Sequence, residues 1–167
     1  PRARSMPETL PKVKVTRPCS GSRRLALNTC SFKSSNMGLP QAIHRGAVND
    51  EVVLDLGGGD RLTAVITHAS VDALGLREGG SAIALVKSSF VVLAPPGVRT
   101  SARNALAGVV SSWREGAVNA EVELQLAGGR RVVATVTNES ARELDIREGV
   151  PMLALIKSSH VILAVAV

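Results

Sequence analysis

The chain has 167 residues, 45% of them hydrophobic but only 2% aromatic, and carries a formal charge of +6. That charge sits at one end: residues 1–33 hold eight Lys/Arg against one Glu, while residues 34–167 hold twelve against thirteen Asp/Glu, so the body offers no basic groove for nucleic acid and too few rings to stack bases. No apolar run is long enough to span a bilayer and no signal-peptide pattern follows the basic start. The two isolated cysteines, Cys19 and Cys30, lack metal-ligand spacing and read as those of a reduced, cytoplasmic protein.

In chain order, residues 1–31 form a basic, Pro-rich tail, broken by Pro1, Pro7, Pro11 and Pro18 and expected to be disordered. A first unit covers 32–95. Its strands are predicted at 51–56, 62–66, 83–86 and 91–94, with a glycine turn at 57–59 and a short helix over 67–74. Pro40 falls inside its presumed first strand, which confines that strand to an edge or a bulge. Pro95-Pro96-Gly97 is a compact linker, and a second unit covers 98–167. Here strands are predicted at 105–112, 121–126, 131–136, 152–156 and 161–167. Glu121-Val122-Glu123-Leu124-Gln125-Leu126 alternates with period two, the mark of a half-buried strand. Gly128-Gly129 makes a hairpin turn, because glycine accepts positive φ. Thr137 is placed to cap a short helix reaching Leu144.

Five short strands with one helix between the third and fourth describe a small barrel of the oligonucleotide/oligosaccharide-binding type. The fold class is therefore all-β, two five-stranded OB-like barrels in tandem. The units repeat: Gly46-Ala47-Val48-Asn49 returns as Gly116-Ala117-Val118-Asn119, and Lys87-Ser88-Ser89 as Lys157-Ser158-Ser159, each 70 positions on. Units this small and poor in aromatic volume gain stability by packing on each other or by oligomerising. A Val/Leu/Ala interior is too tight for a ligand, so ligands belong on loops or between units.

Three polar groups are candidates for a site. Thr100-Ser101-Ala102-Arg103-Asn104 offers a guanidinium, hydroxyls, an amide and a small residue that lets a ligand approach the main chain, a set suited to a compact oxyanion; it is equally a polar strand start. Lys87-Ser88-Ser89 and its copy offer a countercharge with hydroxyls, or a solvated turn. Thr67 and Ser70, with Thr137 and Ser140, sit at helix starts, where capping and anion binding are compatible. His44, His68 and His160 do not repeat, their counterparts being Arg114, Asn138 and Phe90, and no metal or catalytic role is expected of them. No paired carboxylates, Ser/His/Asp set, phosphate loop or Cys cluster is present, so no enzyme is expected.

Ser-Ala-Arg-Asn before a first strand, Gly-Ala-Val-Asn-x-Glu-Val at a strand start, Ile/Val-Thr-x-x-Ser at a helix start and Leu-Val/Ile-Lys-Ser-Ser at a strand end together resemble the molybdate-binding Mop domain, a TOBE-type barrel. The likeness is close over 98–167 and extends over 38–95. The tandem arrangement is similar to two-domain molybdate-binding storage proteins and to the sensor half of the molybdate-responsive transcription regulator. The resemblance implies a cytoplasmic protein binding molybdate or tungstate as an intact dianion between barrels, within a homo-oligomer, a trimer. Carried over, Ser101, Ala102, Arg103 and Asn104 of one barrel would face positions such as Thr137, Ser140, Lys157 and Ser158 of another. Thr67, Ser70, Lys87 and Ser88 are the first unit's equivalents. That unit departs from the pattern at its start, where Lys33-Ser34-Ser35-Asn36 stands without the Ala-Arg pair; Ser35 and Asn36 are its remaining candidates. The alternative role is a sensing fragment of a regulator or of a molybdate transporter ATPase; neither membrane nor nucleic acid is an expected partner of this chain.

Overall fold

Alternation of apolar and polar residues sets the strands. In the computed structural model, which describes residues 37–166, β2 (Asn49–Gly57) and β7 (Asn119–Leu126) bury every second side chain. Val52 and Leu54, like Val122 and Leu124, are fully enclosed. The tail at 1–31 and the candidates Ser35 and Asn36 lie outside the described residues. β1 (Met37–His44) and β3 (Asp60–Thr67) flank β2, and β6 (Asn104–Glu115) and β8 (Arg131–Thr137) flank β7, all antiparallel. A one-and-a-half-turn helix follows each third strand: α1 (His68–Ala73) and α2 (Asn138–Glu143). Thr67 and Thr137 cap them, each accepting from the main-chain N–H of the serine three residues on. β4 (Ala82–Leu85) and β9 (Pro151–Ile156) come next, then a single 3-10 turn in each half, Ser88–Phe90 and Ser158–His160. β5 (Val92–Ala94) and β10 (Ile162–Ala164) end the two halves.

The result is the expected mostly-β tandem of five-stranded antiparallel sheets, one a nearly closed barrel and one a half-barrel, each with its short helix. The membership of the sheets is what differs from a reading in chain order. Their orders are β10-β4-β1-β2-β3 and β5-β9-β6-β7-β8. Each half gives its last strand to the other: Val92 pairs with Leu155, and Ile162 with Leu85. The Lys-Ser-Ser turns have the geometry that goes with this exchange. A two-residue hairpin back onto β4 or β9 would need positive φ in its loop, and neither 86–91 nor 156–161 contains such a residue. The turns close instead through Phe90 N–H to the Lys87 carbonyl (2.8 Å) and His160 N–H to the Lys157 carbonyl (2.9 Å), and the chain passes on to the neighbouring sheet. Leu, Val, Ala and Ile from both halves accordingly form one contiguous core.

The hairpins meet as well. Gly58 and Gly128 lie back to back, so close that a Cβ on either would strike the other turn's backbone, and Arg130 Nε–H donates to the Leu56 carbonyl. Pro40 stands at a bulge, where the β1–β2 register shifts between Pro40 and Ala42. The β6–β7 register shifts at the equivalent place, between Val110 and Ser112. The bulge therefore belongs to the unit, and proline is tolerated because it falls there.

Candidate functional site

Strand exchange brings candidates from opposite halves together at two seams. The first is a pocket of about 280 Å³ lined by Thr100, Ala102, Leu155, Lys157 and His160 from the second half and Ser89, Phe90 and Val92 from the first. Thr100 and Ala102 stand next to Lys157 because Asn104 pairs with Ile156 at the start of the β6–β9 ladder. No carboxylate lines this pocket, and among the described residues neither Lys87 nor Lys157 has an ion-pair partner. Lys87 Nζ lies 5.6 Å from the centre of the Phe90 ring. The second seam is a groove of about 480 Å³ in which Thr67 at the end of β3 and Ser70 of α1 face Ser159, Val161 and Ile162 of the other half.

The hydroxyl pairs have a donor to spare. Thr67 Oγ1 and Ser70 Oγ share a hydrogen bond of 2.7 Å, and Thr137 donates to Ser140 at 2.9 Å. Two hydroxyls in one mutual bond use one hydrogen between them, so each pair retains one O–H for an outside acceptor. Thr137 and Ser140 lie at the opposite end of their sheet from Ser101–Asn104: Thr137 pairs with Asn119, beside the end of β6, whereas Asn104 begins β6. Within one chain these two sets do not meet.

Other expected ligands are committed to joining the halves. Asn104 is 2% exposed. Its Oδ1 accepts from Thr63 N–H at 2.6 Å and its Nδ2 donates to the Thr63 carbonyl at 2.9 Å, so it replaces a missing ladder partner for β3. Its carboxamide is therefore occupied by Thr63, and only the main chain of Asn104 is left to face an oxyanion. Ser88, 3% exposed, accepts from the Thr135 hydroxyl at 2.9 Å. The serine that reaches the pocket is Ser89, as Ser159 is the one that reaches the groove. Arg103 Nη2 holds both Glu51 oxygens, at 2.9 and 3.0 Å, in an exposed pair. Only the juxtaposition of the halves brings Glu51 to this partner, 52 positions away in the chain. Ser101 is exposed and Ser158 half-buried.

A charged cluster borders the second seam. Asp50 is wholly buried; it accepts from Gly46 N–H (3.0 Å) and meets His68 Nδ1 (3.1 Å) and Arg45 Nη1 (3.3 Å). Burial alone would push its carboxyl up; the His68 and Gly46 hydrogen bonds, with the His68 and Arg45 charges, outweigh this and hold it below the ordinary carboxylate value. Arg45 also binds Asp72 at 2.9 Å. Among the described residues no group of three or more His, Cys, Asp or Glu is arranged to hold a metal ion, and no helix is long and apolar enough to cross a membrane.

The TOBE domain model matches the chain twice, over residues 41–93 and 100–163. Molybdenum-pterin-binding protein MopA of Rhodobacter capsulatus is 48% identical over 121 residues, 71% of this chain and 46% of that protein. Molybdenum transport protein ModE of Azotobacter vinelandii is 42% identical over 136 residues, 81% of this chain and 50% of that protein. The chain thus spans about half the length of these two relatives. Among solved structures, the cytoplasmic molybdate-binding protein ModG, with molybdate bound, matches with a TM-score of 0.76 at 42% identity, over 87% of this chain and 100% of that one.

Proposed function

The chain belongs to the TOBE domain family, as a tandem of two Mop-type copies, and from that premise we propose that it binds molybdate, or tungstate, as an intact tetrahedral dianion at seams between its modules. The observation that carries this reading is the likeness to ModG over that protein's whole length, together with a pocket where Lys157 converges with Thr100, Ala102 and Ser89 and no carboxylate intervenes. A dianion leaving water needs a countercharge and enough N–H and O–H donors to replace its hydration. This pocket offers the Lys157 charge with the hydroxyls of Thr100 and Ser89. The chain acts as a binding protein and not an enzyme, serving molybdenum homeostasis, storage or supply in the cytoplasm.

Oligomerisation completes the proposal. Ser101 and Arg103 on one side and Thr137 and Ser140 on the other are too far apart along the sheet to share an ion within one chain. A neighbouring copy in a homo-oligomer, a trimer, would bring them together. Val92 and Ile162 on the edge strands β5 and β10 are 59% and 64% exposed and offer that copy an apolar surface. A second reading, a molybdate-sensing half of a larger regulator, is favoured by the extended likeness to ModE.

Calorimetric titration with molybdate, tungstate and sulfate tests the reading. Molybdate and tungstate are expected to bind in preference to sulfate, and Lys157→Ala to weaken binding at this class of site about tenfold, the loss of one charge-assisted contact. Equal affinity for sulfate, or no effect of Lys157→Ala, would overturn it.

A further inference from the structure

We propose that His160 makes the pocket between the two 3-10 turns pH-responsive, tightening oxyanion binding there as pH falls. The inference rests on the oxyanion-binding reading above and adds a regulator to that site. The repeat itself singles out the residue. The Lys-Ser-Ser turns agree in all three positions, and the next position alone changes character, from Phe90 to His160. The two side chains meet, with ring centroids 4.5 Å apart and planes inclined by 32°. Phe90 thus fixes the imidazole at the pocket wall beside Lys157, Thr100 and Ala102. Among the described residues the imidazole makes no hydrogen bond, so its nitrogens remain available to an anion or to solvent.

The charges around the ring favour this role. Lys87, which precedes the first 3-10 turn, adds a further positive charge over the Phe90 ring. The histidine's own turn follows Lys157, and β9 and β5 add Leu155 and Val92. β3, on which this turn packs, adds only uncharged Val65, Ile66 and Thr67 to the adjoining groove. No acid among these neighbours would neutralise a protonated imidazole. Histidine changes charge between about pH 5 and 8. A new positive charge on the wall of a pocket holding a dianion, largely screened by water, raises affinity about tenfold. By reciprocity, the bound dianion must favour protonation of His160, so binding near neutral pH takes up protons.

The test is calorimetric titration of the whole chain with molybdate at pH 6, 7 and 8, in buffers of different ionisation enthalpy. His160→Phe, which copies Phe90, and His160→Gln, which keeps a polar side chain that cannot titrate, are run alongside. The wild type is expected to bind about tenfold more tightly at pH 6 than at pH 8 with proton uptake, and both variants to lose slope and uptake. In the wild type, the His160 ring-proton NMR titration should move to higher pH when molybdate saturates the site. A flat wild-type profile, variants that retain the slope, or a His160 titration blind to molybdate would each overturn the inference. Absence of molybdate binding by the wild type at every pH would instead remove the reading beneath it, and this inference with it.

Discussion

The two halves build the same junction between a strand, a loop and a short helix with opposite charges. In the first half Arg45 holds Asp72 at 2.9 Å; in the second, the equivalent positions are Glu115 and Arg142, paired at 2.5 Å with the signs reversed. Behind the first pair lies buried Asp50 with His68; behind the second, Ala120 and Asn138, whose Nδ2 donates to the Gly116 carbonyl at 2.9 Å. The threonine caps, their serines and the loop-to-helix bonds His68 N–H to Val48 O and Asn138 N–H to Val118 O, both 3.0 Å, are common to the two. The fold thus requires the cap and the main-chain bond at this junction. An exposed ion pair across it contributes little whichever way it points, so its sign is free to differ. A buried carboxylate is tolerable where a cation and donors are in reach, as Arg45, His68 and Gly46 N–H are for Asp50.

The most severe test of how the halves depend on each other is Asn104→Ala. It removes the side chain that satisfies both backbone groups of Thr63 across the seam, and should cost about 2–3 kcal/mol in urea denaturation. A loss below about 0.5 kcal/mol would show that the seam holds without it. Val110→Pro, which copies Pro40 into the second half, deletes the bond from Val110 N–H to the Val150 carbonyl at 2.9 Å. Because the position is a bulge, the expected cost is moderate, about 1–2 kcal/mol, rather than loss of folding; an unfolded variant would mean that the two bulges are not equivalent. The smallest effect is confined to one half and to acid. Asp50→Ala copies Ala120. Since the Asp50 carboxyl titrates below its ordinary value of 3.8 when folded, its contribution is complete above that pH and is lost as pH falls through the folded value. The variant should therefore be less stable than the wild type at neutral pH, and the two melting curves should converge below about pH 4. A gap that persists at pH 2 would assign the effect to packing instead.

Much of the fold was legible because its causes are local. Period-two alternation marked β2 and β7, paired glycines marked the hairpins, and Thr-x-x-Ser marked the helix starts; each depends on residues within a few positions of one another. The site was legible in its residue types but less so in their arrangement. Lys157, Thr67 and Ser70 line seams between the halves, whereas Ser88 and the Asn104 carboxamide turn inward to join the halves, Ser89 reaches the pocket, and Glu51 pairs with Arg103.

By itself, the sequence determined that there are two copies of one β module, where their strands and turns fall, and which side chains could face an anion. Only the tertiary structure decided that the last strands cross between modules, and with them which Lys-Ser-Ser turn meets which helix start. The reason is physical: backbone N–H and C=O groups are alike along the chain, so a strand's pattern records that it will pair but not with whom. The partner is chosen by the direction in which a rigid turn delivers it.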